Sequence, residues 1–200
     1  MQLIDMDLNL TFEITAVIFG LAFLFLVIAE KRIGWIFGII GSAISVYLFI
    51  YTKLYSEAIL YTYYVVMGFY GWYIWGKKSD QEESLPVTKL SWISILKFIG
   101  LGICLALGLG YTFRRYTDAS SPWLDSFTTI FSFIATYLEA QKVLTAWGFW
   151  IITNGATIFL YSSKNLDLYA LLQLVYFIMS FVGYYRWNKS FKSHLKPDAA

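Results

Sequence analysis

Three side chains in the second half of the chain could together hold a small aromatic molecule. Trp147, Trp150 and Asn154 stand at positions i, i+3 and i+7, so they share one face if this segment is a helix. The surrounding run, residues 143–163, is apolar and long enough to cross a bilayer. Asn154 then lies near the middle of the membrane, where its amide needs a neighbouring helix, water or a ligand as partner.

The composition indicates an integral membrane protein. Of 200 residues, 58% are hydrophobic, 20% are aromatic and only 14% are charged, whereas soluble domains carry about 25% charged residues. The length predicts one transmembrane domain over residues 1–200 with no separate soluble domain. The single cysteine, Cys104, and the single histidine, His194, provide no disulfide, metal or cofactor site. A net charge of +2 gives no reason to expect nucleic acid as a partner.

The apolar runs predict an all-α protein with seven transmembrane helices. The spans cover about residues 12–29, 33–51, 57–76, 90–112, 123–139, 143–162 and 168–187, and a loose polar tail follows from Asn188. Lysine and arginine divide four against ten between the two sides, which predicts an N-terminus outside and a C-terminus in the cytosol. The four are Lys53, Arg114, Arg115 and Lys164; the ten are Lys31, Arg32, Lys77, Lys78, Lys89, Lys142, Arg186, Lys189, Lys192 and Lys196.

An internal repeat relates the two ends of the chain. Moving residues 35–78 forward by 112 positions aligns Trp35 with Trp147 and Tyr64 with Tyr176, and a three-residue gap upstream aligns Glu30 with Glu139. We therefore expect two parallel three-helix repeats, at about 12–78 and 123–190, joined by a linking helix at about 90–113. Parallel repeats of this 3+1+3, SWEET-like kind occur in secondary transporters, which hold substrate between the repeats. A duplication that only builds a stable bundle is the alternative.

Positions that are identical in both repeats are best interpreted as scaffold. We expect close helix approach at the paired glycines and membrane-interface anchors at the paired tryptophans. We expect solvated or ion-paired loop carboxylates at the paired glutamates, in preference to the alternative of a gating role. These pairs are Gly71 with Gly183, Trp75 with Trp187, and Glu30 with Glu139.

Positions that differ between the repeats predict an asymmetric substrate site. Gly38 corresponds to Trp150, Ser42 to Asn154, and Tyr61 to Gln173. Trp150 and Asn154 are therefore the strongest candidates, and Trp147 has a scaffold interpretation as well because Trp35 repeats it. Gln173 contacts either a neighbouring helix or the ligand. Tyr61 and the repeated Tyr64 are further candidates.

The charge pattern favours facilitated diffusion of an uncharged or cationic cargo. Five of the spans contain no charged interior residue, and coupled carriers generally need intramembrane carboxylates or broken helices. A phosphate group would require lysine or arginine in the site. Paired indoles suit a flat cationic ring, and amides suit hydroxyls or a carboxamide. We expect no enzyme, because no nucleophile–base pair or metal set is visible.

Four stretches resemble the Pnu vitamin transporter family, and within it the PnuC-like nicotinamide riboside branch. They are residues 35–41, 70–75, Asp125–Thr129 with Ser132, and the W-x-x-W-x-x-x-N pattern that ends at Asn154. The resemblance implies a SWEET-like seven-helix fold, a homotrimer in the bacterial inner membrane, and uptake of nicotinamide riboside by facilitated diffusion with trapping by cytosolic phosphorylation. It implies that the indoles hold the cationic pyridinium, that Asn154 and Gln173 hold the ribose and carboxamide, and that Thr128 belongs to the site.

Two other functions stay open. Thiamine is also an aromatic cation without phosphate, so a thiamine uniporter of the same family fits the charge argument equally well, whereas the larger, neutral riboflavin fits less well. A membrane scaffold or sensor without transport is the third interpretation, because duplication and aromatic packing alone do not require a substrate.

Overall fold

A computed structural model describes residues 2–51, 55–77, 85–163 and 167–194. Within these ranges the chain forms seven α-helices and no strand longer than a single bridge. The helices are α1 Gln2–Ile28, α2 Gly34–Tyr51, α3 Tyr55–Trp75, α4 Trp92–Tyr116, α5 Pro122–Ala140, α6 Ala146–Ser163 and α7 Asp167–His194. The predicted all-helical class with seven helices is therefore confirmed.

Three of these helices contain segments long and apolar enough to cross a membrane: Leu10–Ile28 of α1, all of α2, and all of α4. Two boundaries differ clearly from the sequence prediction. Helix α1 begins ten residues before the predicted span. Helix α7 continues to His194, so the prediction of a loose tail is wrong for residues 188–194. Lys192 and His194 lie in the last turn of α7, where basic side chains interact favourably with the negative end of the helix dipole.

The chain divides into two compact units, Met1–Leu85 and Pro86–Ala200. Helices within each unit pack in chain order: α1 on α2 and α2 on α3 in the first, and α4 on α5, α5 on α6 and α6 on α7 in the second. Helix α6, which carries the three leading candidates, consequently lies between α5 and α7. The segment before α4 is tied to the α5–α6 turn, because Thr88 N–H donates to the Lys142 carbonyl at 3.1 Å and Leu144 N–H donates to Thr88 at 2.8 Å.

Helices α1 and α5 end in turns of the same geometry, each with a non-glycine residue in the left-handed region. Glu30 and Lys142 have positive φ values of 57° and 56°. After α1, the N–H groups of residues 30 and 31 donate to the carbonyls of residues 27 and 26; after α5, residues 142 and 143 donate to 139 and 138. This is a Schellman end with a non-glycine residue in the left-handed position.

The matching turns correct the alignment of the repeat. Glu30 corresponds to Lys142, so the offset of 112 residues extends through the turn without a gap. Glu139 therefore corresponds to Val27, and the three-residue gap that paired it with Glu30 is wrong. How the two units are arranged relative to each other, and hence the symmetry axis, stays a prediction.

The paired tryptophans occupy the interior of each unit. Trp35 packs edge to face on Trp75 at 5.6 Å between ring centroids, and Trp147 packs edge to face on Trp187 at 5.3 Å. Trp187 is fully buried and Trp75 is 6% exposed, so the interpretation of these two residues as interfacial anchors is wrong. Large indoles are hidden here because a glycine one turn earlier on the same helix leaves room for the partner ring.

Gly71 and Gly183 are these glycines, and their predicted role in close helix approach is confirmed. A Cβ added at Gly183 would lie 2.5 Å from the Trp147 ring, and one added at Gly71 would collide with the Trp35 ring in the same way.

Four of the basic residues used to predict the orientation lie outside the described residues. They are Lys53, Lys78, Lys164 and Lys196.

Candidate substrate site around helix α6

Trp147 is packed into the interface between α6 and α7. It is 1% exposed, and its six-membered ring lies against Gly183 while Trp187 covers it edge to face. Its indole N–H has no hydrogen-bond partner among the described residues. Trp147 matches Trp35 of the first unit in position and burial, and the indole N–H of Trp35 also has no hydrogen-bond partner among the described residues. The scaffold interpretation of Trp147 is thus supported by its surroundings.

Trp150 has a different environment, on the side of α6 that meets α5. Its side chain is half-buried and packs against the α5–α6 core cluster, which includes Phe131, Leu138 and Phe149. A hydrogen bond joins the Trp150 side chain to the carboxyl group of Glu139 in the last turn of α5. Since an indole can only donate, the carboxyl group is the acceptor.

Glu139 itself is only 2% exposed. The prediction that the carboxylate at this position is solvated is therefore wrong, because the side chain is buried. The residue belongs to the buried face of α5, between Leu138 and Ala140, which are also buried. One of its carboxyl oxygens has no hydrogen-bond partner in the described part of the chain.

Asn154 meets the partner requirement through a neighbouring helix. Its amide nitrogen donates to the Ser180 hydroxyl on α7 at 3.1 Å, and that hydroxyl donates to the Tyr176 carbonyl at 2.8 Å. Both side chains are buried, with 7% exposure for Asn154 and 1% for Ser180. The amide is held in a chain of two hydrogen bonds, which fixes its orientation.

Beside Asn154, the buried Thr153 hydroxyl has no hydrogen-bond partner among the described residues, and the side chain is 1% exposed. Threonine hydroxyls in helices commonly donate to the carbonyl four residues earlier, as Thr157 does to Thr153 at 2.9 Å. The orphaned hydroxyl adds a second polar group to the interior of this part of α6.

Gln173 and Thr128 lie on the two helices that flank α6. Gln173 is half-buried on α7 and precedes Ser180 by seven residues, which is about 10 Å along a helix. Thr128 is buried on α5, eleven residues or roughly 16 Å before Glu139. Its hydroxyl contacts the carbonyls of its own helix at Leu124 and Asp125, both at 3.0 Å.

Tyr61 and Tyr64 belong to the first unit and contact each other. Their rings are 5.3 Å apart in a T-shaped arrangement, and Tyr61 also packs against Phe49 at 5.1 Å. Both side chains are half-buried. The structure thus places Trp147, Trp150 and Asn154 on α6, Thr128 and Gln173 on the flanking helices α5 and α7, and the tyrosine pair in the first unit.

The corrected offset shows that both polar contacts of α6 are specific to the second unit. Glu139 and Trp150 correspond to Val27 and Gly38, while Asn154 and Ser180 correspond to Ser42 and Gly68. The glycines have no space for larger side chains, since a Cβ at Gly38 would lie 2.7 Å from Phe23 and one at Gly68 would lie 2.5 Å from Ile39.

Two members of these contacts, Glu139 and Ser180, were not among the predicted site residues. The difference between Ser180 and Gly68 was available from the same repeat comparison that selected Asn154. The difference between Glu139 and Val27 was hidden by the assumed gap.

Seven helices in the described part of the chain, three of them with segments able to span a membrane, and a polar and aromatic cluster among α5, α6 and α7 are typical of a helical membrane transport protein. A family described as "Nicotinamide mononucleotide transporter" matches residues 10–189. The chain belongs to this family.

The chain is similar to curated relatives and to one solved structure over most of its length. It is 26% identical to the nicotinamide riboside transporter PnuC of Escherichia coli, with 86% of this chain and 81% of that protein covered. It is 24% identical to the PnuC of Neisseria mucosa, with 82% and 66% covered. A crystal structure of the vitamin B3 transporter PnuC superimposes with a TM-score of 0.74 at 25% identity, covering 92% of this chain and 83% of the other.

Proposed function

We propose that this chain carries nicotinamide riboside across the bacterial inner membrane. The observation that carries the proposal is the likeness of 92% of the chain to a vitamin B3 transporter, together with the W-x-x-W-x-x-x-N pattern on α6. The curated relatives that cover most of the chain are named for the same substrate. Nicotinamide riboside combines a flat cationic ring with hydroxyls and a carboxamide, which match indoles and amides in chemistry.

The substrate ring is assigned to Trp150 and its polar edge to Asn154. Trp150 keeps part of its indole surface open, whereas Trp147 is packed between α6 and α7 and contributes as scaffold. Gln173 on α7 and Thr128 on α5 are assigned to further substrate contacts on the two helices that flank α6. Tyr61 and Tyr64, which contact each other in the first unit, stay predicted aromatic contacts of the substrate.

The neutral character of these side chains distinguishes the riboside from its phosphate. None of the seven proposed contact residues is charged at neutral pH, and a phosphate normally requires arginine or lysine. The family description mentions the mononucleotide, so the two ligands are the most informative pair to compare. We expect binding of nicotinamide riboside and at least about 100-fold weaker binding of nicotinamide mononucleotide, which corresponds to roughly 2.7 kcal/mol.

Transport is proposed to be facilitated diffusion in a homotrimer, with the N-terminus outside, the C-terminus in the cytosol, and trapping by a cytosolic kinase. The test is uptake of labelled nicotinamide riboside into proteoliposomes with no ion gradient. Uptake that equilibrates the label and no more supports a uniporter. Uptake that requires a proton or sodium gradient would refute uniport but leave the substrate assignment intact.

Two control ligands separate this proposal from its alternatives. Competition by thiamine with no competition by nicotinamide riboside would transfer the chain to the thiamine branch. Absence of uptake for both, in vesicles that contain folded protein, would favour the scaffold or sensor interpretation. The oligomeric state is tested separately by mass photometry in detergent, and the orientation by labelling single cysteines added at the two termini.

A further inference from the structure

The buried carboxyl group of Glu139 is not explained by the packing of α5. It is 2% exposed, one of its oxygens lacks a partner among the described residues, and its polar contact is the Trp150 side chain. A buried polar atom without a hydrogen bond lowers the stability of a fold, so such a group calls for another reason to be there.

The first unit shows that this position does not require a carboxyl group. Its counterpart, Val27, is fully buried before a turn of the same geometry, with Glu30 in the left-handed position that Lys142 occupies in the second unit. Valine there faces a helix with Gly38, whereas Glu139 faces a helix with Trp150. The glutamate and the tryptophan therefore occur together, and the fold is satisfied by an apolar residue when the tryptophan is absent.

Two contacts hold the Trp150 indole. The core cluster of α5 and α6 supports its ring, and the Glu139 carboxyl group accepts from its N–H. A half-buried tryptophan with one supported side would otherwise choose between several rotamers, and binding would have to restrict it. A hydrogen bond to the N–H selects the rotamer in advance.

We propose that Glu139 is a positioning residue, which holds the Trp150 indole in the orientation that stacks on the aromatic ring of the substrate. The inference rests on the proposed function, because it assigns the ring of nicotinamide riboside to Trp150. Glu139 acts through the indole N–H and does not itself contact the substrate. Freezing one rotamer-rich side chain in advance improves affinity about 3- to 10-fold, and this is the loss expected without it.

The experiment measures the Kd for nicotinamide riboside by calorimetry on purified protein in detergent. Glu139→Val introduces the residue of the first unit, so we expect it to fold with an unchanged or higher Tm and to bind about 3- to 10-fold more weakly. Glu139→Gln keeps an acceptor oxygen at the same place, so we expect affinity within about twofold of wild type. Trp150→Phe keeps a ring but has no N–H, and adding Glu139→Val to it should cause no further loss.

The double variant distinguishes positioning from direct contact. An equal loss caused by Glu139→Val in the wild-type and Trp150→Phe backgrounds would overturn the inference, because Glu139 would then act independently of the indole. Unchanged affinity of Glu139→Val would also overturn it, as would a Glu139→Gln variant that is as weak as Glu139→Val. If Glu139→Val fails to fold, Glu139→Leu takes its place, because leucine has a volume close to that of glutamate and no acceptor oxygen; the same loss is expected, and unchanged affinity would overturn the inference. Wild-type protein that binds no nicotinamide riboside would refute the proposed function, a result distinct from wild-type binding with insensitive variants.

Discussion

The contact between Trp147 and Gly183 allows a stability prediction with an internal control. A Cβ at Gly183 would meet three carbons of the Trp147 ring at 2.5, 2.6 and 2.6 Å, whereas carbon atoms pack at about 3.5–4.0 Å. The indole would have to withdraw by about 1 Å. It is 1% exposed and already packed on Trp187, so it has no free space to enter. Such overpacking costs about 1–3 kcal/mol.

Gly148 is the matched control, because it is helical and a Cβ there would have nothing within 4 Å. Both Gly→Ala substitutions gain the same helix propensity of about 1 kcal/mol, so the difference between the variants isolates the overpacking cost. Gly183→Ala should therefore be about 1–3 kcal/mol less stable than Gly148→Ala. For a chain of this size that is roughly 2–12 °C in Tm.

The assay is thermal unfolding of the two purified variants in the same detergent. Gly148→Ala should melt at or above the wild-type temperature, and Gly183→Ala below the control. Equal Tm values for the two variants would refute the conclusion that the ring of Trp147 fills the space above Gly183. A second check is nicotinamide riboside binding, which should weaken only in Gly183→Ala, because a displaced Trp147 shifts the support of the site.

Three further experiments test individual contacts by thermal unfolding. Ser180→Ala should lower the free energy of unfolding by about 1 kcal/mol. The double variant with Asn154→Ala should lose less stability than the sum of the losses of the two single variants, because both remove the same hydrogen bond. Additive losses would contradict the contact. Thr153→Val should raise stability by about 1 kcal/mol, since it removes an unpartnered buried hydroxyl at similar volume, and a lower Tm would show that the hydroxyl has a partner. Arg32→Lys should lower stability by about 0.5–1 kcal/mol, because Arg32 both donates to the Trp72 carbonyl at 2.8 Å and stacks 3.9 Å from its ring centre; no change would indicate that solvent replaces both contacts.

The burial of the paired tryptophans could not be predicted from their neighbours in the sequence. Trp75 and Trp187 stand close to lysine and arginine in the sequence, which is typical of membrane-interface residues. Their burial depends on Gly71 and Gly183 one turn earlier and on a partner indole from another helix. Such a contact between residues about 40 positions apart is set by helix packing and is not visible in local composition.

The candidate site was predictable in its centre and not in its supports. Trp150 and Asn154 could be selected because they interrupt an otherwise repeated pattern, and the structure shows each of them in a polar contact. Their partners, Glu139 and Ser180, lie on the two helices that flank α6. Recognising Glu139 required the corrected register, which came from the φ angles of Glu30 and Lys142.

The sequence by itself determined the seven helices, the membrane character, the internal offset of 112 residues and the family. Each of these follows from hydropathy, helical period or residue identity, which can be compared along the chain without knowing how its helices pack. Tertiary structure decided which face of each helix is buried, and therefore that Trp147 packs against Gly183 and Trp187, that Trp150 is held by a carboxyl group, and that Asn154 is held by a serine. Those outcomes depend on the distance between side chains on neighbouring helices, a quantity that only the packed bundle defines.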